Sequence, residues 1–162
     1  YKDFTFVFHL TKEYSKFTQD IIKKNKLNNC EVISDNKIKS HILRKSVFAV
    51  SKSGTVSLEI CNAKIPSIIL YKMSLINFFI IKMLVKVKYA NIINIAAKEE
   101  IIPELLQSNC SPKKIFEHVS DFLDNPKKID AQIKKTQLII NNFKTKNPSS
   151  LQAATALNKF LN

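Results

Sequence analysis

One short stretch of the chain, Ser53-Gly54-Thr55, carries residue types that can bind an anion. Gly54 is the only glycine in the sequence, whereas average usage would place about eleven in a chain of this length. A glycine permits a positive φ or a close backbone approach, and a neighbouring serine or threonine hydroxyl can cap a helix or reach a phosphate. This triplet is therefore the first candidate for chemistry.

The segments on either side of this triplet predict how it is held. Residues 47–50 (VFAV) form an apolar, strand-like run, and a helix is expected over residues 55–63. A strand, a loop and a helix in this order expose backbone N–H groups at the helix start, where phosphates bind. The alternative is an ordinary capped helix after a strand, which needs no ligand.

Along the whole chain, strand-like and helix-like patterns of apolar residues alternate. Strands are expected over residues 4–10, 30–34, 47–50 and 65–70, with a further one over 89–93, and helices over residues 12–24, 36–44, 55–63 and 74–85. From residue 101 onward the signals are helical. Repeated strand–helix units predict an α/β fold with a Rossmann-like, doubly wound parallel sheet. We expect one domain over residues 1–144, followed by a linker and helix over residues 145–162.

The charge of the chain indicates which classes of binding partner to expect. There are 26 basic and 13 acidic residues, a formal net charge of +13, yet Arg44 is the only arginine. Base edges and phosphates are gripped bidentately by arginine, so we expect no nucleic-acid partner. An anionic membrane surface and a coding bias toward Lys, Ile and Asn both remain explanations for the charge.

The sequence does not indicate disulfides, a metal site or a membrane span. The three cysteines, Cys30, Cys61 and Cys110, are widely spaced, which favours a reducing compartment over disulfides or zinc. The histidines are isolated, so neither a metal site nor a catalytic set is predicted. No apolar run reaches the length of about 18 residues that a membrane span requires. The chain begins at Tyr1 without a methionine and is interpreted as part of a longer protein.

Three segments in register resemble one known family. SKSGTVSLEICNAKIPSIILYKMS, LVKVKYANIIN and IIPELLQSNCSPKKI, within residues 47–116, closely resemble the C-terminal half of the lipid-A-disaccharide synthases. The final helix, residues 151–161, has the matching character. The resemblance implies the C-terminal domain of a two-domain GT-B glycosyltransferase, with the N-terminal acceptor domain absent from this chain.

The resemblance also implies an activity. Enzymes of this family transfer 2,3-diacylglucosamine from UDP-2,3-diacylglucosamine to 2,3-diacylglucosamine 1-phosphate and release UDP, in lipid A biosynthesis. This implies a bacterial enzyme on the cytoplasmic side, peripherally associated with the inner membrane, that uses no cofactor. The catalytic base, an aspartate, is expected in the missing domain, so no residue of this chain is assigned a catalytic role. Whether the enzyme forms a homodimer stays open.

Donor-binding positions follow from the same resemblance. Ser53, Gly54 and Thr55 are expected to face the donor diphosphate, with Glu59 on the ribose hydroxyls. The remaining donor-binding positions are Tyr71, Lys72 and Asn94.

Three positions depart from the family pattern. Lys72 replaces an arginine, and Lys98-Glu99 replaces Gly-Arg, which puts donor affinity in question. In the PELLQ segment, Glu104 and Gln107 are interpreted as helix-stabilising.

One further segment suggests contact with a membrane. Residues 74–88 (SLINFFIIKMLVKVK) combine an apolar surface with lysines, as a helix in the membrane interface does. The expected membrane-contact residues are Phe78, Phe79, Ile80, Lys82 and Lys86. A helix buried inside the protein is the alternative.

Two other functions remain open. One is a different UDP-sugar transferase with the same fold. The other is a non-catalytic remnant of a split gene that binds only nucleotide or membrane.

Overall fold

The structure is a computed structural model that describes residues 3–74, 88–144 and 148–161. The chain divides into two compact units, Tyr1–Lys45 and Ser46–Asn162. The helix predicted over residues 74–85 lies almost wholly outside the described residues. Within the described part of the chain, no helix is both long enough and apolar enough to cross a membrane.

The first unit contains a two-stranded parallel sheet. Its elements are β1 (Phe6–His9), α1 (Lys12–Lys24), β2 (Cys30–Ile33), a 3-10 turn (Asn36–Ile38) and α2 (Lys39–Lys45). Phe6 of β1 lies opposite Cys30 of β2. An almost continuously apolar run such as residues 4–10 is typical of a strand covered on both faces of a parallel sheet, but Phe6 and Phe8 are exposed. Such a run predicts a strand but not how many neighbours cover it.

The second unit carries a three-stranded parallel sheet and the candidate site. Its elements are β3 (Ala49–Lys52), α3 (Thr55–Asn62), β4 (Ser67–Tyr71), α4 (Ile92–Ala97), β5 (Glu104–Leu106), a 3-10 turn (Gln107–Asn109), α5 (Pro112–Leu123), α6 (Pro126–Phe143) and α7 (Ser149–Leu161). The strand order is β3-β4-β5, so β4 is central. Parallel strands joined through helices confirm the predicted α/β class.

The core of this unit lies on both faces of β4. Ile68 and Ile69 are fully buried, and adjacent strand residues point to opposite faces. Ile69 packs in a cluster with Cys61, Ile93, Ile102 and Ile140, whereas Ile68 packs with Leu105 and Phe122. Burying one such isoleucine contributes about 2 to 3 kcal/mol. Helices therefore cover both sides of the sheet, as expected of a doubly wound arrangement.

Two sequence-based expectations for this unit are wrong. No strand forms over residues 89–93. α4 begins at Ile92 instead, because the side chain of Asn91 accepts a hydrogen bond from Ile93 N and caps the helix. The helical signal after residue 101 gives way to β5, whose backbone pairs with β4 from Ile69 to Tyr71. Pro103 lies directly before β5, at a strand boundary where proline is tolerated.

Candidate functional site

The candidate site lies at the carboxyl edge of the β3-β4-β5 sheet. Lys52 ends β3 opposite Leu70 of β4, so the loops that follow these two strands leave the same edge of the sheet. The first loop contains Ser53 and Gly54, and the second begins with Lys72, directly after Tyr71. Ligands of open α/β sheets bind at this edge.

The backbone conformation of Gly54 explains why a glycine is present there. Its φ is +150° and its ψ is −165°, a region that is essentially restricted to glycine. A Cβ atom placed on this backbone would meet nothing within 4 Å. Of the two reasons expected for this glycine, the positive φ is therefore confirmed, whereas no atom of the described chain occupies the space that a Cβ would need.

The start of α3 differs from the predicted capped helix. Gly54 is the N-cap residue, and among the described residues no side chain accepts a hydrogen bond from the first-turn N–H groups. The Ser53 hydroxyl instead donates to the carbonyl of Ala90 at 2.8 Å. Gly54 and Thr55 are exposed, so the positive end of the helix dipole has an open approach.

Ser57 fixes the loop from inside the protein. It is fully buried, and its hydroxyl donates to the Gly54 carbonyl at 2.6 Å. The same hydroxyl accepts a hydrogen bond from Asn91 Nδ2 at 2.9 Å, and Asn91 is also fully buried. The loop before α3 is thus tied to the residue that caps α4.

Glu59 lies where its spacing from Thr55 predicts. Both residues belong to α3, four positions apart and therefore on one side of the helix. Both are exposed. Their side chains can therefore contact one ligand that lies along this side of α3.

Lys52 was not among the residues predicted from the sequence. It is the last residue of β3, and its Nζ lies 5.3 Å from the centroid of the Tyr71 ring, which is a cation–π contact. Its position directly before Ser53, at the end of a strand, was the available signal. Lys52 adds a positive charge beside two of the predicted donor-binding positions, Ser53 and Tyr71.

Asn94, one of the predicted donor-binding positions, makes a full set of hydrogen bonds within the protein. Its Oδ1 accepts hydrogen bonds from the backbone N–H groups of Ile101 and Ile102, both at 2.9 Å. Its Nδ2 donates to the Ile102 carbonyl at 2.7 Å and to Glu104 Oε1 at 2.8 Å. The side chain is fully buried and saturated with hydrogen bonds. Asn94 therefore holds the connection from α4 to β5.

Glu104 and Gln107 do not stabilise a helix, contrary to expectation. Glu104 begins β5, where its carboxylate accepts from the backbone N–H groups of Ala90, at 2.7 Å, and Asn91, at 2.9 Å. The Gln107 amide pairs with the backbone of Met73, accepting at 2.8 Å and donating at 3.1 Å. Both side chains thus hold loop backbone next to the carboxyl edge of the sheet.

Lys98 and Glu99 are not among the residues that hold the loops at the carboxyl edge of the sheet. Lys98 follows α4 in the left-handed conformation, with φ at +55°, where the family pattern has glycine. Glu99 forms an ion pair with Lys135 of α6. A left-handed residue after a helix favours glycine, so this geometry accounts for the glycine of the pattern.

The predicted membrane-contact segment lies almost wholly outside the part of the chain that the structure describes. The expected membrane-contact residues Phe78, Phe79, Ile80, Lys82 and Lys86 lie outside the described residues. Across the described ranges, no three His, Cys, Asp or Glu side chains come together as a metal site would require.

Comparison with known proteins gives a consistent match. A family model described as lipid-A-disaccharide synthetase matches residues 1–158. The chain is 33% identical over 152 residues to the lipid-A-disaccharide synthase of Rickettsia bellii, covering 92% of this chain and 39% of that protein. It is 32% identical over 164 residues to that of Rickettsia typhi, covering 99% and 43%. The chain therefore spans about two-fifths of the length of these curated relatives.

Proposed function

The chain belongs to the lipid-A-disaccharide synthetase family, and from this membership we propose that it is the donor-binding part of a glycosyltransferase. The proposed reaction transfers 2,3-diacylglucosamine from UDP-2,3-diacylglucosamine to 2,3-diacylglucosamine 1-phosphate. The donor domain is proposed to extend over residues 1–144, with a linker and helix over residues 145–162. The acceptor site and the catalytic base are proposed to belong to a preceding N-terminal domain.

The observation that supports donor binding is the exposed start of α3. Its first-turn N–H groups lack a side-chain cap among the described residues, and they begin at the exposed Gly54. Backbone N–H groups and the helix dipole stabilise phosphate at such a position. Lys72 directly follows β4 at the same edge of the sheet and is exposed. We assign the donor diphosphate to Ser53, Gly54 and Thr55, with Tyr71 and Lys72 beside it.

The uridine ribose is assigned to Glu59. This carboxylate lies one helical turn beyond Thr55 and is exposed. A carboxylate accepts hydrogen bonds from the two ribose hydroxyls, which fixes the nucleoside relative to the phosphates. The diphosphate and the ribose would then lie along one side of α3.

The chemical step follows from these assignments. An acceptor hydroxyl attacks the anomeric carbon of the donor sugar, the bond from that carbon to the diphosphate breaks, and the hydroxyl proton passes to the catalytic base. UDP leaves with increased negative charge on its β-phosphate. The contribution of this chain is to stabilise that charge through the start of α3 and nearby lysines.

Calorimetric titration with UDP and with uridine tests the assignment. We expect saturable UDP binding and weaker uridine binding, because uridine lacks the phosphates. Glu59→Ala should weaken both ligands by about tenfold, the loss of one good polar contact. Glu117→Ala is the matched control, since Glu117 is an exposed glutamate on α5. Absence of UDP binding at millimolar concentration would contradict the proposal.

The lipid part of the substrate separates this function from that of another UDP-sugar transferase. An assay of the complete enzyme with acylated and unacylated donors makes the distinction. We expect transfer only from the acylated donor. Equal use of the unacylated donor would favour the other transferase.

Peripheral association with the cytoplasmic face of the inner membrane is the second part of the proposal. Its support is the sequence of residues 74–88 together with the net charge of +13. Co-sedimentation with anionic vesicles should fall in the double variant Phe78→Ser, Phe79→Ser. The control is Phe17→Ser, which alters an exposed aromatic residue of α1. Equal sedimentation of both variants and the unaltered chain would contradict membrane contact by this segment.

A further inference from the structure

Glu104 connects the strand β5 with the backbone that precedes α4. Its Oε2 accepts from Ala90 N at 2.7 Å, and its Oε1 accepts from Asn91 N at 2.9 Å. Oε1 also accepts from Asn94 Nδ2 at 2.8 Å. Hydrogen bonds to an ionised carboxylate are about twice as strong as neutral ones. One side chain therefore fixes two consecutive peptide units.

The same two residues, Ala90 and Asn91, also bond to the chain on both sides of Gly54. The carbonyl of Ala90 accepts the hydrogen bond from the Ser53 hydroxyl at 2.8 Å. The side chain of Asn91 donates to Ser57 Oγ at 2.9 Å, and that hydroxyl donates to the Gly54 carbonyl at 2.6 Å. The hydrogen bond to Ala90 thus holds the residue before Gly54, and the hydrogen bonds from Asn91 through Ser57 hold Gly54 itself.

We propose that Glu104 is a positioning residue for the donor loop, which sets the backbone of Ser53 and Gly54 for phosphate without contacting the ligand. This inference rests on the proposed function, because it assigns the loop to the donor diphosphate. The conformation of Gly54 is rare, so it persists only where surrounding contacts determine it. Ala90 and Asn91 supply those contacts, and the Glu104 carboxylate holds both of them in place.

The variant Glu104→Gln tests this role with little change in shape. The neutral amide keeps one acceptor oxygen but turns an NH2 group toward one of the N–H donors. The matched control is Gln132→Ala, which also removes buried hydrogen bonds, but at the start of β4, where Gln132 bonds to Ser67. A purely structural role for Glu104 would make the two variants behave alike at the loop.

The first measurement needs no nucleotide. Because Gly54 is the only glycine, its backbone amide is the one glycine resonance in a nitrogen-15 NMR spectrum. We expect Glu104→Gln to shift or broaden this resonance and Gln132→Ala to leave it in place. An unmoved resonance in Glu104→Gln overturns the proposal.

The second measurement concerns the ligand. We expect Glu104→Gln to weaken UDP binding by about tenfold with little effect on uridine, because the loop is assigned to the phosphates. A moved Gly54 resonance with unchanged UDP affinity overturns the positioning role. Equal weakening of UDP and uridine also overturns it, since this indicates general loss of structure. If the unaltered chain binds no UDP, the donor assignment fails and the Gly54 resonance alone decides whether Glu104 sets the loop.

Discussion

The side-chain amide of Gln132 pairs with the backbone of Ser67 through two hydrogen bonds. Ser67 N donates to Gln132 Oε1 at 2.7 Å, and Gln132 Nε2 donates to the Ser67 carbonyl at 3.0 Å. Nε2 also donates to the Ile101 carbonyl at 3.2 Å. β5 begins only at Glu104 and pairs with β4 from Ile69 onward. On that side of β4, the Gln132 side chain from α6 therefore takes the place of a neighbouring strand at Ser67.

We first predict that Gln132→Leu lowers the free energy of unfolding by about 2 to 4 kcal/mol, because it leaves buried backbone groups without partners. Gln137→Leu, on the same helix, is the control. Gln137 donates a hydrogen bond to the Cys61 carbonyl at 2.6 Å, and the loss of this single bond should cost about 1 kcal/mol. Urea denaturation measures both variants, and equal losses would contradict the role given to Gln132.

The second prediction concerns Gly54. Gly54→Ala should lower the free energy of unfolding by about 1 to 3 kcal/mol, the usual cost of a non-glycine residue in such a backbone region. Gly54→Ser should cost a similar amount, because the space around a Cβ is open. Thermal unfolding of both variants provides the measurement. A much larger loss for serine than for alanine would indicate crowding as the cause instead.

The third prediction is a stabilising change. Lys98 holds a left-handed conformation after α4, with φ at +55°. Lys98→Gly removes that strain and should raise the free energy of unfolding by about 1 kcal/mol. Lys98→Ala removes the same charge but keeps a Cβ, so it should give no such gain. Equal stabilisation by alanine and glycine would assign the effect to charge.

The fourth prediction follows from the burial of Cys61. Desolvation raises the pKa of its thiol from 9.0 to about 11. At pH 8 the native thiol should resist alkylation, whereas the partly exposed Cys30 and Cys110 should react. Mass spectrometry after brief iodoacetamide treatment identifies the modified cysteines. Rapid native modification of Cys61 would contradict the predicted protection.

The same shift predicts how stability depends on pH. The unfolded chain releases the Cys61 proton near pH 9, while the folded chain keeps it until about pH 11. The folded state therefore binds more protons in this window, and the contribution of Cys61 to stability is lost as the pH rises through it, by about 2 to 3 kcal/mol. Cys61→Ala should lack this component when both proteins are unfolded in urea across the window.

Local signals in the sequence were sufficient for the first part of the site. The run at residues 47–50, followed by Ser53-Gly54-Thr55, predicted a strand, a loop and a helix, and all three are present. The signal is local because an apolar run, a glycine and a helical pattern are each read from a few adjacent residues. The positive φ of Gly54 is one of the two alternatives that the same reasoning offered.

Contacts between distant segments were not predictable in this way. Glutamate and glutamine favour helices, so the local sequence predicts a helix-stabilising role for Glu104 and Gln107 that the structure does not show. β5 exists because three residues pair with β4, far earlier in the chain. Asn94 likewise bonds to Ile101 and Ile102 only because the chain turns back at Lys98. Which partner satisfies each polar group depends on the assembled sheet, and no short window of sequence contains that information.

The conformation of Gly54 has a consequence at the level of the gene. Every single-nucleotide change in a glycine codon that alters the amino acid introduces a side chain with a Cβ. Because φ is +150° at position 54, each of these replacements places a Cβ on a backbone conformation that favours glycine. A saturation library sorted for folded protein should therefore retain glycine at this codon while tolerating several residues at Ser53 and Thr55.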